Sequence, residues 1–216
     1  MGIISVKAIP IRDDWKNLED GRELSKKAFD RNRKKSQQSV DERIHYMWFK
    51  YLQLCLDLES IDYSIPKRGG RGKIISTTKV KVSKSIYRKW DLEKVKKSSF
   101  REWYNDEKQI LFYEDGFRYT RGSQYHPLVK RFNVFILYHN MMNDKNLYLK
   151  GNQTKGMVVS EKIVEDLQKE GGQKERYELI ERRTNTKNMS VQKRVLKDVV
   201  DCENTILAVC EGRFPK

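Results

Sequence analysis

Arg68-Gly-Gly-Arg71-Gly-Lys73 is the first place in this sequence where residue types and spacing point to chemistry. Glycine lets a backbone approach phosphate closely, and arginine both pairs with phosphate and stacks on bases, so Arg-Gly segments bind nucleic acid with little sequence preference. The segment is not a Walker loop. That spacing needs Gly at 67 and Ser or Thr at 74, where this chain has Lys67 and Ile74. Its plain alternative is an exposed hairpin turn.

Charge is concentrated around this segment. The chain has 216 residues, with 45 Lys and Arg against 30 Asp and Glu, a formal net charge of +15. Thirteen of the basic residues lie between positions 66 and 101: Lys67, Arg68, Arg71, Lys73, Lys79, Lys81, Lys84, Arg88, Lys89, Lys94, Lys96, Lys97 and Arg101. Only Asp91 and Glu93 oppose them there. Residues 22–35 form a second basic cluster, whereas residues 151–216 nearly balance. Each cation that neutralises a phosphate releases a condensed counterion, so concentrated positive charge is the usual mark of polyanion binding. The alternative is a solvated face that keeps the chain soluble.

Two places have the pattern of a helix-turn-helix. One pairs an expected helix at 83–90 with another at 99–112. The second pairs an expected helix at 160–169 with the start of the last helix, where Gln192, Lys193, Arg194 and Lys197 follow Ser190 beside an apolar stripe. Gln and Arg near a helix N-terminus suit base-edge contacts in a major groove. Basic outer faces are also common on helices of any bundle. Trp90, Phe100, Trp103 and Tyr104 lie in or beside the basic segment and could stack on unpaired bases, although helical spacing makes the first three better core residues.

Catalytic patterns are sparse. His45, His126 and His139 are unclustered, and no HExxH spacing occurs. Asp91 with Asp106-Glu107-Lys108 has the residue types of a metal-dependent nuclease, but that chemistry normally sits on a strand hairpin, and 106–108 reads as helix. His139-Asn140 has the residue types that end a nuclease motif, yet a lone His on an apolar helix is usually a core residue. No cofactor is expected, and Cys55, Cys202 and Cys210 read as reduced core thiols.

The elements that must position these residues are mostly helical. Residues 1–12 alternate weakly, as an edge strand would. A basic helix is expected at 21–35, then a core helix opened by a Ser39/Glu42 capping box, with Ile44, Met47, Trp48, Tyr51, Cys55 and Leu58 on one face. Residues 66–73 read as a glycine-rich loop and 74–82 as a strand, a hairpin arm that could track phosphates. Ser99 and Glu102 open a further helix with another capping box. From Tyr125 the most hydrophobic helix begins, apolar on all sides and so expected to be surrounded. The last helix is expected at 190–211 with Val195, Val199, Cys202, Ile206 and Val209 inward, stopped by Gly212 and Pro215.

With 38% hydrophobic residues, eight Phe, eleven Tyr and four Trp, the chain should fold. No run reaches the roughly 18 apolar residues of a membrane helix, and the N-terminus lacks a signal-peptide pattern. Tyr87-Arg-Lys-Trp90, Ser99-Phe-Arg-Glu-Trp103 and Cys210-Glu-Gly-Arg-Phe-Pro215 resemble pieces of uncharacterised basic helical proteins of bacterial phages and mobile genetic elements. That resemblance implies a bacterial or phage setting and carries no activity or site.

The sequence therefore predicts a mainly α fold with a small β hairpin. Residues 1–36 would be a basic arm, 37–150 a helical core with the basic hairpin, and 151–216 a C-terminal helical region. The expected function is non-enzymatic nucleic-acid binding, DNA rather than RNA, in the cytoplasm of a bacterial host or in a virion. Lys67 to Arg101 would supply phosphate contacts and the Ser190 helix base readout. The rival is a phage assembly factor that docks on an acidic protein surface such as a capsid. A metal-dependent nuclease is the third reading.

Overall fold

Where apolar residues recur every three to four positions without a breaker, the chain forms long helices; where Pro and Gly punctuate it, a hairpin. The computed structural model describes residues 3–7, 9, 33–69, 73–104, 108, 111–112, 125–147, 149, 154–171 and 191–214. These form six helices and two strands: α1 Arg33–Ser60, β1 Ser64–Arg68, β2 Ile74–Lys79, α2 Leu92–Lys97, α3 Phe100–Trp103, α4 Tyr125–Asn143, α5 Lys155–Gly171 and α6 Val191–Cys210. The fold is mainly α with a small β hairpin, as the sequence predicts. No helix among the described residues is long and apolar enough to cross a membrane.

The chain divides into two compact units. One comprises Met1–Val6, Asp14–Tyr125 and Glu203–Lys216, the other Lys7–Asp13 and His126–Cys202. In the first, α1 supplies the core: Met47, Trp48, Phe49, Tyr51, Leu52, Leu54, Cys55 and Leu58 are all fully buried. An aromatic cluster packs on it. Trp90 lies 5.0 Å from Trp103 and 4.6 Å edge-on from Phe112, while Trp48 stacks on Phe214 at 5.4 Å. Such aromatic pairs add roughly 0.5–1.5 kcal/mol each beyond area burial. Two of their indole nitrogens and one phenol are hydrogen-bonded within the unit. Trp48 Nε1 donates to Tyr87 Oη, which donates to the Val209 carbonyl, and Trp103 Nε1 donates to the Trp90 carbonyl.

In the second unit, α4 buries Leu128, Val129, Phe132, Val134, Phe135 and Ile136, α5 buries Val158, Val159 and Ile163, and α6 buries Val195, Val199 and Cys202. Ion pairs at 2.7 Å and 3.1 Å join Lys130 and Arg131 of α4 to Asp198 and Asp201 of α6. In the first unit α6 continues its stripe with Ile206 and Val209 and ends at Gly212, whose φ of 70° is the left-handed conformation glycine adopts at low cost.

Several expectations are corrected. Residues 3–7 and 9 form no strand, because side chains take the backbone groups a strand partner would use. Asp57 accepts from the amides of Ser5 and Val6, and Asn133 brackets the amide and carbonyl of Ile9. Helix α1 is already formed at Arg33, so Ser39 lies inside it and not at its N-cap; Arg33 to Gln38 contains no Gly or Pro to stop it. Residues 21–32 of the expected basic helix lie outside the described residues. Ser83–Trp90 is a run of hydrogen-bonded turns, not a helix. Lys67 and Arg68 belong to β1 and not to a loop. Helix α4 is not surrounded along its length: Pro127, Lys130 and Arg131 are half-buried, Phe132 to Ile136 are buried, and from Leu137 to Asn143 every residue is half-buried.

Candidate nucleic-acid interface

The hairpin stands on a packed base. Ile65 at its foot and Val80 and Val82 just beyond it are buried, and the Val80 amide donates to the Tyr63 carbonyl. Beyond that foot, all six residues of β2 are exposed, and β1 is exposed from Lys67. The strands pair antiparallel, Ser64 with Lys79, Ile65 with Thr78, Pro66 with Thr77 and Lys67 with Ser76, then Arg68 with Ile74. Ile75 is thus the extra residue of a β-bulge, a feature that bends a ribbon and re-aims its side chains. The turn closes where the Gly69 amide donates to the Lys73 carbonyl at 2.8 Å.

Cations line this ribbon and the segment after it. Lys67, Lys73, Lys79, Lys81, Lys84, Arg88, Lys89, Lys94, Lys96, Lys97 and Arg101 are all exposed. Lys67 and Lys79 occupy opposite faces of the ribbon, because Lys67 pairs with Ser76 while Lys79 pairs with Ser64. Two of these cations have exposed ion pairs, Lys79 with Asp62 and Lys97 with Glu93, each of the solvated kind that contributes about 0–1 kcal/mol. Asp91 is occupied locally. It adopts a left-handed conformation and caps α2 through the Lys94 amide.

Arg68 sits differently. It forms a two-pronged pair with Glu203 of α6, which is only 2% exposed, and so ties the ribbon to a helix 135 residues away in sequence. Burial raises the Glu203 carboxyl above its ordinary range, and the bonds and charge of Arg68 oppose that rise. Sequence reasoning missed Glu203, because an acid on an apolar helix face carries no local sign of its partner. Arg71 lies outside the described residues.

Neither helix-turn-helix is present as expected. The first lacks its opening helix, and its second is interrupted: Tyr104 leaves the helix after Phe100–Trp103, and of the residues that follow, Lys108 and Leu111 are helical while 105–107 and 109–110 lie outside the described residues. The capping box that opens it is there, with the Ser99 and Glu102 bonds both made. In the second, 19 residues separate the end of α5 from the start of α6, too many for the three- or four-residue turn of that motif. Gln192 is half-buried, its Nε2 so near Gly156 that a Cβ there would lie 3.0 Å away. Lys193 and Lys197 are exposed, Arg194 is half-buried, and Lys197 approaches Asp201 at 3.8 Å.

The aromatic candidates for base stacking are core residues. Trp90, Phe100, Trp103 and Tyr104 are at most 7% exposed. His45, fully buried, shares a 2.9 Å hydrogen bond with Tyr104 Oη and stacks 4.0 Å from Phe112; burial lowers its pKa to about 3. His139 is half-buried against Phe135. Of the nuclease set, Asp91 is the α2 cap, Lys108 donates to the Lys89 carbonyl, and Asp106 and Glu107 lie outside the described residues, as does the His126 side chain. No three His, Cys, Asp or Glu side chains converge among the described residues. Comparison of the chain with protein-family models, curated proteins and solved structures gives no match.

Proposed function

We propose that this protein binds nucleic acid, duplex DNA in preference to RNA, without acting on it chemically, and that it works in a bacterial phage or mobile-element setting. The observation that carries this reading is the exposure of every described basic residue between positions 66 and 101, a stretch whose own acids are Asp91 and Glu93, with Asp62 and Glu203 reaching Lys79 and Arg68 from outside it. A phosphate backbone is the polyanion whose counterions such a segment would release. Duplex is favoured over single strands because the aromatic residues of the segment are buried, which removes the stacking platform that reads unpaired bases. The phage setting rests on the resemblance of the aromatic segments alone.

A second reading is docking on an acidic protein surface during assembly. What favours it is the exposure of Ile74 and Ile75 at 58% and 61%. Two adjacent side chains are a small area beside the patches of roughly 300–600 Å² that mark many docking sites.

Fluorescence anisotropy with duplex DNA, single-stranded DNA and RNA at two salt concentrations, with and without Mg²⁺, tests the reading. Salt-sensitive binding to duplex, weakened in Lys67→Glu/Lys73→Glu and leaving the DNA intact in Mg²⁺, is the expected result. Negligible binding above about 150 mM salt, where specific binders still hold, would remove it.

A further inference from the structure

We propose that Ile74 and Ile75 form an apolar wedge that the ribbon inserts between base pairs of duplex DNA from the minor groove, bending the duplex. This rests on the nucleic-acid reading above. The foot of the hairpin buries its apolar residues, Ile65, Val80 and Val82, whereas the far end presents two adjacent isoleucines to water. An exposed strand edge is ordinarily protected with charge. Here Lys67 and Lys73 stand beside the isoleucines without covering them.

The backbone holds the pair in place. Ile75 is the bulge residue, and its side chain lies over Gly69, where a Cβ would come within 3.1 Å of its Cγ2. Arg68, paired across the strands with Ile74, is clamped to buried Glu203, so the wedge stands on a braced strand. Charge identifies the occupant. Lys67 lies near the isoleucines on one face of the ribbon, and Lys79, at the foot in a solvated pair with Asp62 that a phosphate can replace, lies on the other, which suits a groove with a phosphate wall on each side better than a flat surface. Apolar side chains inserted between base steps from the minor groove, flanked by Lys or Arg, unstack the step and kink the duplex.

The test uses the full chain, a duplex carrying 2-aminopurine at a flexible TA step, and the same duplex end-labelled for energy transfer. Wild type should raise 2-aminopurine fluorescence and shorten the end-to-end distance. Ile74→Ser/Ile75→Ser, exposed positions whose change leaves circular dichroism unaltered, should bind about tenfold more weakly, keep the salt dependence and lose both signals. Lys67→Glu/Lys73→Glu should instead flatten the salt dependence. Wild-type binding with neither signal, or both signals persisting in the serine variant, would overturn the wedge and leave the nucleic-acid reading standing. Absence of wild-type binding to duplex overturns both. The wedge also fails if the isoleucines prove to be needed only for self-association in sedimentation, or only for binding vesicles containing phosphatidylglycerol.

Discussion

Two basic stretches that look alike as letters differ in their neighbours. Between positions 66 and 101 the cations stand exposed over a core of buried aromatics, with carboxylates few and exposed. At the start of α6, Lys197 faces Asp201 along its own helix, Asp198 and Asp201 also pair with Lys130 and Arg131, and Gln192 lies against α5. Lys97 has a like partner in Glu93, but the first stretch holds thirteen cations against two acids, whereas on α6 the few cations lie among acids, which leaves less positive potential to offer a phosphate. Charge counted along a chain overstates the charge that a partner meets.

The largest expected effect concerns what lies under the first stretch. If Trp103 is scaffold and not a stacking platform, Trp103→Ala should destabilise the fold by about 3–5 kcal/mol in urea denaturation, while protein still folded binds duplex normally. Lost affinity with unchanged stability would reverse that assignment.

Acid should act on the same scaffold. The folded-state pKa of His45 is lowered from 6.5 to about 3, so its neutral form is favoured; stability is fully present above 6.5 and lost as pH falls toward 3. Between pH 7 and pH 4 that is roughly 3 kcal/mol, at about 1.4 kcal/mol per pH unit. His45→Gln should flatten this part of the pH–stability curve, and an unaltered curve would contradict the account.

The comparison itself is sharpened by matched charge reversals. Lys81→Glu/Lys84→Glu should weaken duplex binding on the order of 30-fold and reduce the slope of log K against log salt by about 2. Lys193→Glu/Lys197→Glu should change affinity by less than about threefold, within the range of screened surface charges. Equal losses in the two variants would show that α6 contributes as much as the segment that follows the ribbon.

The smallest effect is at Glu203. Its pKa is raised, so its contribution to stability is present below 4.5 and lost as pH rises through the raised value. Glu203→Gln should therefore remove that loss and, at the same time, the ion pair with Arg68, so that the two changes largely offset at pH 7 and net stability changes little. A marked destabilisation at pH 7 would mean that the pair holds the ribbon more firmly than its burial implies.

What was legible in the sequence was whatever a local period could encode. The stripe Val195, Val199, Cys202, Ile206 and Val209 is buried as read and ends at Gly212. The Ser99/Glu102 capping box is equally faithful, and the six face residues read for α1 are buried, although from Ile44 to Leu52 that helix is buried on every side and not on one face alone. The start of α1 was misread because a capping-box pattern at Ser39 competes with upstream residues that are themselves helix-compatible. Ser83–Trp90 was misread because aromatic spacing imitates a helix where the chain makes turns, with Tyr87 held by Trp48 and Val209 from elsewhere in the chain. Within the candidate interface, the exposed lysines fall where the charge density predicts. The pairing of Arg68 with Glu203 and the exposure of Ile74 and Ile75 depend on tertiary placement, for which no local pattern exists.

The most direct test of the central claim is the affinity of the wild-type chain for duplex DNA across a salt titration. A linear fall of log K with log salt, with a slope steeper than about −4 that the Lys81→Glu/Lys84→Glu variant reduces, is the predicted result. A slope near zero, or no binding at about 150 mM salt, would contradict a phosphate-binding role for residues 66–101.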